Sequence, residues 1–194
     1  MKYYPHFLAI GFSLFFIILG ITPVDRDVWI AEVIPIVVIF LLLVLTYKKF
    51  VFSYTSYTLM ALWLSWHTIG GHYTFAHVPF DYITELFNFE RNHFDRVGHF
   101  MIGFYAYPMA EFLIRKKFAG PVLASFFALF FIMSVAAGYE IIEWWYASLE
   151  GGQDGIEFLG SQGDIWDAQK DMLADTLGAI SSLMLFWLIK KFRG

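Results

Sequence analysis

Apolar residues in this chain gather in long blocks with short polar breaks between them, and nowhere alternate at a strand period. Six blocks, about 6–22, 28–46, 51–70, 95–114, 120–147 and 167–190, approach the roughly 20 residues that a helix needs to cross a bilayer. The fifth is longer and predicts a helix that tilts or emerges from the membrane. The pattern predicts an all-α, polytopic membrane helix bundle of about six transmembrane helices, with residues 1–194 as a single integral membrane domain. After the first block, "LGITPVDRD" has no small-residue cleavage pattern, so that block reads as an uncleaved span.

The polar breaks set an orientation. Lys2, Lys48, Lys49, Arg115, Lys116, Lys117, Lys190, Lys191 and Arg193 fall on one side if both termini are cytoplasmic. Arg26, Arg91 and Arg96 fall on the other, and the 148–166 loop has no lysine or arginine. Positive residues collect on the cytoplasmic side, so the pattern predicts cytoplasmic termini.

Composition agrees with the blocks. Charged residues make up 15% of the chain and apolar ones 59%, whereas soluble domains carry about 25% charge. The absence of cysteine excludes disulfides and thiolate metal sites. A net charge of −4 gives no sign of nucleic-acid binding, and the partner implied is the lipid bilayer.

Against this background the charges inside the blocks stand out. In "GDIWDAQKDMLADTLGA", Asp164, Asp167, Asp171 and Asp175 are spaced to lie along one side of a helix. Asp164 and Asp167 can cap or complement a helix start, but Asp171 and Asp175 lie roughly 6 and 12 Å further in at 1.5 Å per residue. His99 lies one turn inside Asp95, while Glu140 and Glu143 approach the same outer surface from below. An acid at mid-span costs about 2.5–3.5 kcal/mol on insertion scales. The group therefore has to be protonated, paired, wetted or metal-bound. Glu111, at the inner end, has a local partner in Arg115.

The histidines cluster on that same outer side. His67, His72 and His77 recur at intervals of five, which keeps no single helical face, and Gly70 and Gly71 predict a break after "WLSWHTI". His93 and His99 bracket Asp95. Mixed histidine and carboxylate donors suit zinc, manganese or iron, and all-oxygen sets suit magnesium. The expected metal ligands are His99, Glu140, Asp171 and Asp175, with Glu143 or Asp175 as general base. His67, His72, His77, His93, Asp95, Asp164 and Asp167 are further pocket candidates. Ala174, Gly178 and Ser182 form a small-residue stripe beside Asp175, which turns that acid toward protein.

The segments "FDRVGHFMIGFYAYPMAE", "AAGYEIIEWW" and "GDIWDAQKDMLADTLGA" together resemble the YjdF family of bacterial inner-membrane proteins. Residues 95–180 are also similar to the VanZ-like pattern, through Asp95, Arg96, His99 and Phe100, then Glu140 or Glu143, then Asp171, Asp175, Gly178 and Ala179. Asp175 stands where that group commonly has asparagine. The resemblance implies a multi-pass location in the inner membrane and a single bundle, without an established activity. The expected function is a metal-dependent, membrane-embedded enzyme acting on a lipid or envelope substrate. The alternatives are a proton- or cation-coupled transporter and a structural or partner-binding membrane protein. Transport needs polar groups across the whole span, and the inner half offers only Glu111.

Overall fold

The computed structural model describes residues 3–152 and 161–193. Those residues are helical or irregular, with no strand among them. The helices are α1 (Tyr4–Ile21), α2 (Arg26–Thr46), α3 (Tyr54–His72), the short α4 (Asp81–Leu86), α5 (Phe94–Ile102), α6 (Ala106–Arg115), α7 (Pro121–Glu150) and α8 (Asp167–Arg193). Four of them, α1, α2, α7 and α8, are long and apolar enough to cross a membrane. The fourth block falls short because it is divided between α5 and α6, of 9 and 10 residues, and α3 is less apolar, with Ser56, His67 and Thr68 buried in it.

Local chemistry explains several boundaries. Asp25 accepts from the amides of Asp27 and Val28 and so caps α2, while Ser53 caps α3 through the Ser56 amide. The fourth block is one path in three pieces, with a 3₁₀ turn at Gly103–Tyr105 between α5 and α6. Pro108 lies just beyond that turn; it donates no amide hydrogen bond and crowds the carbonyl four residues back, which tightens the backbone there. The expected break at Gly70 and Gly71 does not occur, since α3 continues to His72. The Phe75 ring occupies the space that a Gly70 side chain would fill, and Gly71 lies against Glu32 and Trp29. These glycines serve close packing instead of ending the helix.

Helix α3 is the hub of one half, packed on α1, α2 and α5, while α8 packs on α5, α6 and α7. Helices α5 and α8 run parallel and in register. Arg96 pairs with Asp171, and His99 with Asp175, at separations of 75 and 76 residues. The two paths nearly touch at Gly103 and Gly178. A β-carbon on Gly178 would overlap the Phe100 carbonyl, and one on Gly103 would overlap the α8 backbone at Asp175, Gly178 and Ala179. The Ser182 hydroxyl adds a hydrogen bond to the Gly103 carbonyl at 3.2 Å. Small residues thus set the depth at which the two polar helix starts meet.

The basic helix ends gather at one pole. Arg115 donates to the Val51 carbonyl at 2.8 Å, His6 lies edge-on to Tyr47, and Trp187 donates to Ser125 at 3.1 Å. Glu111 closes this pole by accepting from the Ser53 amide and hydroxyl, from Ser56 and from Arg115, so every demand of its buried carboxylate is met locally.

Candidate functional site

At the opposite pole the polar residues of five helices converge. An outer layer lies where the α5 and α8 starts meet. Arg91 and Arg96 each place a guanidinium nitrogen 2.5 Å from the same Asp167 oxygen, and Lys170 holds Asp164 at 2.6 Å. Asp164 also accepts from the Trp166 amide; with Lys170 as the larger influence, these bonds hold its pKa below the ordinary value. Asn92 locks this layer to the preceding loop by donating to the Ala76 and Val78 carbonyls and accepting from the Phe94 amide. Asn92 turns the chain here without capping α5, whose cap position is His93.

One turn deeper lies the centre of the site. His99 Nδ1 is 3.2 Å from Asp175 Oδ2, and Asp175 is 1% exposed. The other ring nitrogen, Nε2, faces Asp95 Oδ1 at 3.7 Å and Asp171 Oδ1 at 3.9 Å. Both distances are too long for hydrogen bonds. They match the roughly 3–4 Å between donors that each stand about 2.1 Å from one ion. The donor atoms of Asp95, His99 and Asp171 all lie within 4.8 Å of one another. Arg96 Nε comes within 2.8 Å of Asp171 Oδ1, but in an orientation that makes no hydrogen bond, and that oxygen has no other hydrogen-bond partner. Asp175 Oδ1 and Glu140 Oε1 are likewise buried without a hydrogen-bond partner.

Across a cavity of about 100 Å³ stands a second polar group. Glu32 of α2 accepts from Tyr139 at 3.3 Å and lies 3.3 Å from His67 Nε2. Glu143, one turn along α7 from Tyr139, also faces the cavity, together with Asp95, His99 and Asp175.

The expected ligands are therefore distributed differently from their order in the sequence. His99 and Asp171 stand together with Asp95, whereas Asp175 lies on the other side of the imidazole; of the four expected ligands, His99 and Asp175 line the cavity, and Asp171 and Glu140 do not. Of the other histidines, only His67 reaches the cavity. His72 Nδ1 binds the Leu19 carbonyl at 2.8 Å and ties α3 to α1, and His77 Nδ1 lies 2.8 Å from the Thr74 hydroxyl. His93 packs edge-on against Phe89, and burial, then Arg91 and Arg96, push its pKa below the ordinary 6.5. Asp164 and Asp167 belong to the outer ion-pair layer. The middle of the 148–166 loop, 153–160, lies outside the described residues.

Sequence reasoning passed over Arg91, Glu32 and Tyr139 as site residues. Arg91 sits in a polar break on the outer side, and Glu32 lies in an N-terminal span far in sequence from the acidic helix. The one available signal was Glu32 itself, an acid one turn inside an otherwise apolar block.

A family model described as "Predicted membrane protein (DUF2238)" matches residues 4–192. The chain is also 35% identical, over 179 residues, to the inner membrane protein YjdF of Escherichia coli (strain K12), covering 91% of this chain and 85% of that protein. No solved structure matches significantly. With four helices apolar enough to cross a bilayer and a relative of this kind matched over nearly its whole length, the protein is a multi-pass protein of the inner membrane. The family model spans nearly the whole chain, so the chain belongs to the DUF2238 family, and the YjdF protein is similar to it over most of its length.

Proposed function

We propose that this protein is a metal-dependent enzyme whose site opens at the outer face of the inner membrane and acts on a lipid or envelope substrate. In this reading the chain crosses the bilayer six times, with α3 and the α5–α6 run as the third and fourth crossings. The basic pole is cytoplasmic, as the positive-residue bias favours, and supporting this, contacts between helix ends gather the described basic ends at one pole.

The observation that carries the proposal is the geometry at His99. Asp175 lies 3.2 Å from Nδ1; with the proton on that nitrogen, the Nε2 lone pair would be aimed between two carboxylates at ligand-like separations. Metal-binding histidines are oriented by such a carboxylate on the other ring nitrogen. Asp95, His99 and Asp171 would hold the ion; in support, Asp171 Oδ1 and Asp175 Oδ1 are buried without a hydrogen-bond partner, with Arg96 as the one guanidinium beside Asp171. One histidine with two aspartates suits zinc, manganese or iron, with magnesium also accommodated. A bound divalent ion supplies a polarised oxygen or an activated water. Glu143, facing the same cavity, is the base that would take the proton.

The outer layer has its own explanation. Asp164 and Asp167 are matched by Lys170, Arg91 and Arg96, and they fix the mutual register of α5 and α8. Only the deeper layer is left to a metal.

Elemental analysis of protein purified in detergent without chelator tests the proposal. A divalent ion should be present in the parent and lost in Asp171→Asn and Asp95→Asn. A parent that stays metal-free after loading with zinc and manganese would leave the cluster as a structural network.

A further inference from the structure

We infer that the cavity beneath the charged residues receives the acyl chain of an outer-leaflet lipid, admitted sideways between α2 and α7. The substrate class is then a membrane amphiphile, held with its head at Asp95, His99 and Asp171. The assignment of the head, though not of the chain, rests on the proposed reading of that cluster as the reaction site.

Depth is the first argument. Four of the helices lining the cavity are sorted in the same sense, and α8 contributes Asp175 alone. On α2, Glu32 lies outward of Pro35 and Ile39; on α3, His67 lies outward of Trp63. On α5, Asp95 and His99 lie outward of Ile102; on α7, Tyr139 and Glu143 lie outward of Ile132, Val135 and Ala136. Helices α2 and α5 run inward and α3 and α7 outward, so the order along the sequence inverts between the pairs while the order in depth stays fixed. The result is a polar rim over an apolar floor, with the polarity of a lipid head and chain.

The second argument is where the cavity opens. Val135 lines it and is also 43% exposed on the lipid-facing side of α7. Among the described residues no extended packing seam joins α2 to α7; α2 packs on α3, and α7 on α6 and α8. What bridges them is the Tyr139–Glu32 hydrogen bond at the polar rim. Below that bond, the wall of the cavity is continuous with the surface that meets hydrocarbon.

The third argument is the character of the space. The floor of the cavity, from Pro35 and Ile39 across to Ile132 and Val135, is apolar, and fully apolar cavities of about 150 Å³ take up benzene. At about 100 Å³ and open to the bilayer, this cavity suits a length of acyl chain, the apolar partner present at that depth.

Trp63 reports on the floor. It lines the cavity yet is 5% exposed, so without an inserted chain it would be shielded from lipid. The full-length protein, with Trp63 as its sole tryptophan, is reconstituted into phosphatidylethanolamine–phosphatidylglycerol vesicles whose acyl chains carry bromine at mid-chain. Bromine quenches on contact. Trp63 emission should fall relative to unbrominated vesicles, and Ala136→Phe, which fills the floor, should restore it. If replacing the other tryptophans unfolds the protein, Trp63→Phe in the full set should remove part of the quenchable emission. Equal Trp63 emission in the two vesicles, or quenching unaffected by Ala136→Phe, would overturn the inference. Asp171→Asn separates the two readings, since it should remove metal and leave the quenching intact. Metal loss without quenching in any variant would sink the chain site alone.

Discussion

His99 and Asp175 are joined across two parallel helices by an Nδ1···Oδ2 contact of 3.2 Å, and Arg96 on the same helix as His99 reaches Asp167 and Asp171 on the same helix as Asp175. One register therefore builds both layers of the site. The outer layer is ionic and stabilises the join; the inner one points a single imidazole nitrogen at two acids. A shift of one residue between α5 and α8 would rotate His99 away from both.

The Asp175 contact predicts a graded response to substitution. In Asp175→Asn the imidazole keeps a hydrogen-bond acceptor but loses the negative charge behind it, so metal affinity should fall about 10–100-fold. Asp171→Asn, which removes a ligand, should abolish binding. Competition titration with a metal-sensitive dye reads both. Equal affinity for Asp175→Asn and the parent would show that Asp175 does not support the imidazole.

The glycine contact predicts a large penalty for a small change. At both Gly103 and Gly178 an added β-carbon would meet backbone atoms, which cannot rotate aside. Each alanine variant should lose at least about 1–3 kcal/mol, the usual range for overpacking. Thermal unfolding in detergent measures the loss, with Gly11→Ala as the control, since nothing lies within 4 Å of a β-carbon there. Unchanged stability in Gly178→Ala would mean that the helices separate at no cost and do not set the register.

Much of this architecture was legible in the chain, for a physical reason. Hydrocarbon-length apolar runs leave little choice but helix, and an acid inside such a run needs a partner, so Asp171, Asp175, His99 and Glu143 stood out. Pairing was not legible, because it depends on register between helices distant in sequence. Nothing near Asp95 says that it faces the His99 ring. Nor could Gly70 and Gly71 reveal that their missing side chains make room for Phe75 and Trp29 within an unbroken helix. Arg91 was hidden by its setting in a polar loop that folds back to reach Asp167.

His93 predicts a pH dependence outside the membrane. Burial, and then the charges of Arg91 and Arg96, hold its pKa below 6.5 in the folded protein. Between the unfolded and folded values the unfolded chain binds more protons, so the contribution of this group to stability falls as pH drops below about 6.5. Relative to the parent, His93→Gln should therefore lose less melting temperature on acidification, with the gap widening as pH falls through that window. Parallel melting curves for parent and variant across pH 5 to 7, to the nearest unit about the usual histidine range, would show that His93 titrates alike in both states.

The proposed membrane orientation predicts where reporters are active. Fusions at Lys48, in the turn after α2, and at Asn88, after α4, should report opposite compartments, the first cytoplasmic and the second external. Finding both in one compartment would remove the outward-facing site and the depth order of its residues.

Arg96 allows the sharpest separation of the structural layer from the deeper site. Its guanidinium is 2.5 Å from Asp167 and 2.8 Å from Asp171, and all three side chains are largely buried. Removing one member of such a group leaves an unmatched buried charge, which costs about 3–5 kcal/mol. Arg96→Met alone should therefore destabilise strongly. If Arg96 is the main counter-charge of Asp171, Arg96→Met with Asp171→Asn should recover most of that loss, a clear departure from additivity. If a divalent ion is the main counter-charge, Arg96→Met should cost little more in metal-loaded protein than the Asp167 contact alone explains, and chelation should deepen the loss. The readout is the melting temperature of four proteins, parent, two single variants and the double variant, each with and without chelator. Coupling unchanged by chelator would assign Asp171 to the ion-pair layer and remove it from the metal site.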